Sequence, residues 1–301
     1  MVSKSLKTKV RMFFWKVTHY SKYKKFKNML KQDITPGSVK QGMKFGYYGC
    51  FYDQVKETKD HTNLLWEIRQ KPLEQTIKNI KDQNTDTVLD ISGELFDRDA
   101  NNKLILREDA DERLRQLFRR LRSEGILHLI KVLYPNDEPN LSENEPAIDL
   151  KESIRNSTML VRRVAAEFKE LANVKLGVIY FGGNYPYVGI EHYDIVGMDW
   201  YKRDAEYLFL PKEGLYERYI VSKLQPGQQI WVVPGGYLKQ DPKPFINWIS
   251  TKEEAYGVIP FIWNHPKYNG TMDSGDFNTD IHTNGMANIY RQAGLIVTGR
   301  V

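Results

Sequence analysis

From Lys44 onward the apolar residues fall into short runs separated by longer amphipathic stretches. The run Leu127–Leu133 is broken only by His128 and Lys131 and is closed by Tyr134-Pro135. It reads as a strand buried on both faces. Seven further runs have the same character: Phe45–Tyr48, Asn63–Trp66, Thr87–Ile91, Lys175–Tyr180, Ile195–Met198, Gln229–Val233 and Val258–Ile262. Helical stripes lie between them. Leu114, Leu117, Phe118 and Leu121 form one; Ile154, Val161, Ala165, Phe168 and Leu171 form the longest. Leu215, Tyr219 and Leu224 suggest a third, Phe245, Ile249 and Tyr256 a fourth, and Met286–Ala293 the last. Strands alternating with helices imply parallel pairing through right-handed crossovers. Eight such units in about 250 residues predict an α/β chain folded as a (β/α)8 TIM barrel over residues 44–301. Two connections, Asp53–His61 and Gly182–Tyr193, leave room for only a turn or two of helix. An open doubly wound sheet is the competing arrangement, but no GxGxxG or GxxxxGK[ST] occurs, which speaks against nucleotide binding by those routes.

Residues 1–32 follow a different pattern. Leu6, Val10, Phe13, Val17 and Tyr20 recur at helical spacing, and Phe14 and Trp15 widen the stripe. The barrel is therefore expected to be preceded by a basic amphipathic N-terminal helix. This arm carries nine lysines, one arginine and no acid, so the net charge of +6 divides into +10 here and −4 over the rest. Such a helix suits an anionic membrane surface or a place against the barrel wall, with nucleic acid a weaker third option. Residues 33–43, with Pro36 and two glycines, read as the linker.

The composition narrows the picture further. No apolar run is long enough for a membrane-spanning helix, and no signal-peptide core stands near the start. A single cysteine, Cys50, precludes an internal disulfide. Together these point to the cytoplasm, with a peripheral place at the inner face of the membrane through the arm. The six histidines are scattered with no HxxxH, and CxxC is absent, so a metal site is not expected; nor is any cofactor.

The C-terminal ends of the expected strands carry aromatics and acids: Tyr47, Tyr48 and Asp53, then Trp66 and Glu67, then Ser92 and Glu94, with Asp90 inside the third strand. Asn136, Asp137 and Glu138 follow the fourth, Tyr180 the fifth, Asp199, Trp200 and Tyr201 the sixth, Tyr237 the seventh, and Trp263, Asn264 and His265 the eighth. Aromatic faces stack on sugar rings, and glycosidic cleavage needs a protonated and an ionised carboxyl flanking the acetal oxygen.

On these residues the stretch from about Lys44 resembles the (β/α)8 glycoside hydrolase superfamily. Asn-Asp-Glu-Pro at 136–139 is similar to the strand-four motif that ends in the catalytic acid, which implies that role for Glu138. Residues 193–201 resemble the sixth-strand segment, and Pro-Phe-Ile-Trp-Asn at 260–264 the last, whose tryptophan floors the sugar site. The seventh strand departs from the clan with paired glutamates: Trp231–Tyr237 contains no acid. Asp199, then Asp137, are the replacements for the missing partner. Tyr48, Trp66, Glu94, Asn136, Tyr180, Tyr201, Tyr237 and Trp263 are the expected substrate contacts. Against this, an acid after a strand is often only a helix cap, and Trp66, Tyr180 and Trp263 are individually more often core. Asp90 reads as structural, and His61 as a cap on the far face of the barrel. The expected activity is hydrolysis of a glycosidic bond in a carbohydrate, the alternative a non-catalytic glycan-binding or polysaccharide-assembly protein.

Overall fold

A computed structural model describes residues 4–48, 55–67, 72–141, 144–183, 186–201, 204–261, 281 and 285–301, with side chains from residue 9 onward. Eight parallel strands form one nearly closed barrel: β1 (Lys44–Phe45), β2 (Leu64–Glu67), β3 (Asp86–Asp90), β4 (Ile130–Asp137), β5 (Lys175–Phe181), β6 (Ile195–Asp199), β7 (Gln229–Val232) and β8 (Ala255–Val258). From β2 to β8 each pairs with its sequence neighbour, and β8 also pairs with β1, leaving β1 and β2 as the two edges of the sheet. The β1–β2 seam is crossed by Asn63, whose N–H donates to Phe45 O (3.0 Å) and whose Oδ1 accepts from Phe45 N–H (2.7 Å).

Period-2 alternation sorts the strand side chains into two cores. Inside the barrel lie Leu64, Trp66, Val88, Val132, Tyr134, Ile179, Ile195, Trp231, Val233 and Tyr256. Between barrel and helices lie Leu65, Leu89, Leu133, Val178, Tyr180, Val196, Met198 and Val232. Trp231 fills the middle of the interior and donates from Nε1 to Val178 O (3.0 Å). It fits because β5 and β6 offer it glycines. A Cβ at Gly177 would come within 2.4 Å of its ring, and one at Gly197 within 2.1 Å.

The outer helices bury one stripe each. In Leu150–Ala165, the Asp149 side chain caps the first turn by accepting from Glu152 N–H (3.1 Å), and Ile154, Val161 and Val164 are fully buried. Each such side chain contributes roughly 1.5–3 kcal/mol. The two short connections hold one turn each, Val55–Thr58 and Ile190–His192. His61 is fully buried before β2, between Asp60 and the Tyr47 hydroxyl (3.0 Å).

Three local expectations are corrected. The fourth strand does not stop at Leu133: Leu127–Leu129 is a 3-10 turn, and β4 runs through Pro135 to Asp137. Proline has no N–H to give a ladder, and the strand absorbs it as a one-residue bulge, since Leu133 pairs with Leu176 but Asn136 with Val178. Tyr256 belongs to β8 and not to the preceding helix, which ends at Ile249. The eighth strand accordingly starts three residues early, at Ala255. A helix at Leu73–Gln83 joins β2 to β3 without having been picked out by its stripe.

The arm is helical: α1 (Lys4–Thr18) and α2 (Tyr20–Lys31), broken at His19. Met12, Phe26 and Leu30 are buried against the outer wall of the barrel. Lys16, Tyr23 and Lys27 converge on Glu206, and Asn247 Nδ2 donates to Met29 O (3.1 Å) and Gln32 O (2.8 Å). Among the described residues no helix is long and apolar enough to cross a membrane.

Candidate active site

The C-terminal ends of the strands form one mouth, as in any such barrel. The bulge in β4 decides what that mouth contains. With regular alternation Asn136 would follow Tyr134 into the interior. The extra residue inverts the order. Asn136 turns outward, where Ser157 Oγ of the Leu150–Ala165 helix donates to its Oδ1 (3.4 Å). Asp137 turns inward, and its Oδ1 accepts from the hydroxyls of Tyr48 (2.5 Å) and Tyr134 (2.7 Å).

Glu138 follows with a left-handed φ of +40°, rare for a residue with a side chain and typical of functional turns. The loop that holds it there is tied down on both sides. Glu138 N–H donates to Ile179 O (3.1 Å). Asn140 pairs with the backbone of Phe181 in both directions (3.0 and 2.8 Å), and Asn144 Nδ2 donates to Asp137 O (2.9 Å).

Asp199, at the end of β6, is 1% exposed and points inward. Gly182 N–H donates to its Oδ1 (3.2 Å), its Oδ2 is buried with no hydrogen-bond partner among the described residues, and Glu138 and Tyr201 are the side chains that act most strongly on its charge. A Cβ on Gly182 would lie 2.1 Å from Asp199 O, so only glycine lets β5 approach closely enough for that bond. Burial pushes the Asp199 carboxyl up, with the Asp137 charge adding to it and Glu138, Tyr201 and the Gly182 N–H opposing. Burial also pushes Asp137 up, against the pull of Tyr48 and Tyr134. All three phenols, Tyr48, Tyr134 and Tyr201, are driven well above their ordinary range, by burial first and then by the carboxylates beside them. Asp137 and Asp199 share one enclosed field, and acids so placed retain protons to higher pH than separate acids do.

Aromatic rings floor and wall the site. Trp66 is fully buried beneath, 4.6 Å from Tyr48 and 4.8 Å from Tyr134 between ring centres. Phe261 stacks on Tyr201 (5.3 Å) and borders Tyr48 (5.3 Å), and Tyr237 meets both Tyr201 and Phe261 edge-on.

Of the residues picked from sequence, Glu138, Asp199, Asp137, Tyr48, Tyr201, Tyr237 and Trp66 come together. Three face elsewhere. Asn136 points to the helix layer. Tyr180 lies in the outer core, donating to Val188 O (2.6 Å). Glu94 is paired with Arg113 of helix Ala110–Ser123 (2.9 Å). Asp90 accepts from the Ser92 N–H and hydroxyl (2.8 and 2.7 Å). Trp263, Asn264, His265 and Asp53 lie outside the described residues. Tyr134 and Phe261 were missed. Tyr134 was readable, since it continues the inward parity of Val132, whereas Phe261 stands past the last regular strand. Among the described residues no group of three His, Cys, Asp or Glu side chains is arranged to hold a metal ion.

No known protein family matches the sequence, and no curated protein matches it either. The fold, by contrast, is similar to that of glycoside hydrolases. A glycoside hydrolase family 2 β-galacturonidase from Eisenbergiella tayi, bound to galacturonate, aligns at TM-score 0.50 and 9% identity over 81% of this chain and 47% of its own. An active-site mutant of a Rhizomucor miehei β-1,3-glucanosyltransferase, in complex with laminaritriose, aligns at TM-score 0.50 and 12% identity over 82% of this chain and 93% of its own. A β-glucuronidase from Parabacteroides merdae aligns at TM-score 0.43 and 9% identity over 70% of this chain, which spans only 28% of that protein.

Proposed function

We propose that the barrel mouth breaks or transfers glycosidic bonds in a carbohydrate, with Glu138 as general acid and Asp199 as its ionised partner. The observation that carries this reading is the convergence of Glu138, in the turn after β4, and Asp199, at the end of β6, on one mouth floored by aromatic rings, with Glu138 among the groups that act on the Asp199 carboxyl. At rest the pair holds one proton. A glycosidic oxygen that takes Asp199's place beside Glu138 receives that proton as the bond breaks. Asp199 is then left anionic, facing the sugar carbon that develops positive charge. Asp137, fixed by two phenols, places its charge beside the pair and so favours a proton there. Tyr48, Tyr201, Tyr237 and Phe261 supply the ring faces and hydroxyls that orient the sugar. The same reading sets the arm of residues 1–32 against an anionic membrane surface.

The test is Glu138→Gln, assayed against wild type on laminaritriose and on aryl β-glycosides and β-glucuronides, with circular dichroism to check the fold. Turnover is expected to fall about 10²–10⁴-fold. Unchanged turnover rejects the assignment. One observation favours a second reading, a glycan-binding protein: the inward residue at the end of β7 is Val233, where paired-glutamate enzymes place an acid. Retention of these sugars with no bond broken by the wild type would decide for it.

A further inference from the structure

The arm docks with one face and leaves the opposite face open. In α1, Met12 is buried and Trp15 and Lys16 half-buried, all on the side turned to the barrel. Val10, Phe13, Phe14 and Val17 lie on the other side of α1 and Tyr20 opens α2, all five 45–66% exposed. The spacing of three, one and three in α1 makes a single stripe. It spans about 10 Å of helix at 1.5 Å per residue, with Tyr20 just beyond the break at His19. Exposed Lys9, Arg11, Lys22, Lys24 and Lys25 flank it.

The place where the arm docks matters as much as the stripe. In a β/α barrel each helix begins beside the mouth. Glu206, which Lys16, Tyr23 and Lys27 reach, is in the first turn of the helix after β6. Lys243, which pairs with Asp33, opens the helix after β7, and Asn247, which holds Met29 and Gln32, lies one turn further along it. The arm is therefore carried at the level of the mouth. Four of the six other large apolar side chains exposed among the described residues agree; Met159, midway along the helix after β4, and Val301, past the end of the last helix, do not. Ile105 sits on the hairpin after β3, Ile148 just before the helix after β4, Leu238 on the turn after β7 and Ile289 at the start of the last helix. All four are on the mouth side.

We infer that Val10, Phe13, Phe14, Val17 and Tyr20 enter an anionic bilayer, and that this holds the barrel mouth towards glycans carried on that same membrane. The substrate class is then a lipid-attached glycan and not a freely diffusing one, an extension that rests on the catalytic reading of the mouth. Charge selects this occupant over the others. A second copy would bring one +10 arm against another. Nucleic acid would use the lysines and leave five apolar side chains in water. An anionic interface satisfies both, with rings at the acyl boundary and lysines at the headgroups.

The experiment uses the full chain, wild type and Phe13→Glu/Phe14→Glu, sedimented with vesicles of phosphatidylglycerol and phosphatidylcholine and with phosphatidylcholine alone. Wild type is expected to bind the mixed vesicles, and the double variant to bind them at least roughly tenfold more weakly, with unchanged circular dichroism. Hydrogen exchange on the vesicle-bound chain is expected to slow at α1 and at Gly236–Leu238 by the mouth, and not at Val221–Lys223 on the opposite end. Glu138→Gln is expected to bind vesicles as wild type does, so loss of activity and loss of membrane binding are read separately. The inference is overturned by absence of vesicle binding, by binding that survives the double variant, by stripe-dependent dimers or stripe-dependent nucleic-acid binding in place of vesicle binding, or by protection on the end away from the mouth.

Discussion

The carboxyls at the mouth and those on the outer surface respond oppositely to their surroundings. Asp111 and Glu167 are on the surface, and both are gripped by Arg115, at 3.0 and 2.9 Å. The guanidinium holds both below the usual carboxylate range, chiefly through those hydrogen bonds. Arg122 does the same to Glu170. At the mouth, Asp137 and Asp199 have phenols and each other for neighbours, and burial drives them up. One side chain type thus serves as a permanent anion outside and as a proton store inside. What separates them is the partner, cation against hydroxyl, and the loss of water. Burying such acids is costly to a fold, and their presence in an otherwise apolar interior is the physical basis of the chemistry proposed for the mouth.

Glu94 tests that contrast from between the two settings, because it is buried like the mouth acids yet paired with a cation like the surface ones. Arg113→Ala removes the cation that faces its carboxylate at 2.9 Å. The expected loss is roughly 3 kcal/mol of unfolding free energy in urea. It should shrink when Glu94→Gln is added, since the neutral amide no longer needs a cation. A loss under about 0.5 kcal/mol would mean that Glu94 behaves as a surface acid in spite of its burial.

The next effect is smaller and concerns sign. Asp199 binds its proton more tightly in the folded chain than its ordinary value of 3.8 allows. The folded state therefore holds more protons than the unfolded one over the window from 3.8 upward to the raised value. Its contribution to stability is fully present below 3.8 and is lost as pH rises through the raised value. The surface carboxylates contribute the other way, above their unfolded values, and lose it in acid. Asp199→Asn removes the mouth term only. Its melting temperature relative to wild type should rise as pH is raised from about 4 to about 8, while activity falls. A difference that stays constant with pH would show that Asp199 does not carry the proton.

How much of this was readable in the chain follows from the same distinction between local and shared causes. The eight strands were legible because apolar runs flanked by amphipathic stretches have a purely local cause. Glu138 and Asp199 were legible because both stand where a parallel strand runs out. The bulge at Pro135 was not, since register depends on the neighbour: only pairing with Leu176 and Val178 shows the extra residue. For that reason Asn136 was expected at the sugar and Asp137 ranked behind Asp199, although the bulge brings Asp137 into the cluster. Tyr180 and Tyr134 were confused for a related reason, as both are aromatic at strand ends and only parity separates the inner core from the outer. Tyr256 kept helical spacing with Phe245 and Ile249 by accident, across a helix end and a turn that the apolar pattern does not mark.

The smallest effect belongs to the surface pairs, and it is the one that salt should remove. Arg115 is forked between Asp111 and Glu167 in a network that stays in contact with water. Exposed pairs of this kind are weak because water and ions screen them and because fixing long side chains costs entropy. Arg115→Ala is therefore expected to lower the melting temperature slightly at low ionic strength and not at all at about 1 M salt, where charges are screened within about 3 Å. Asp199→Asn should keep its pH-dependent difference under the same salt, since ions do not enter a carboxyl cluster walled by Tyr48, Tyr134 and Tyr201. If salt erased both differences alike, the mouth cluster would be as open to solvent as the helix surface, and a proton could not be stored there.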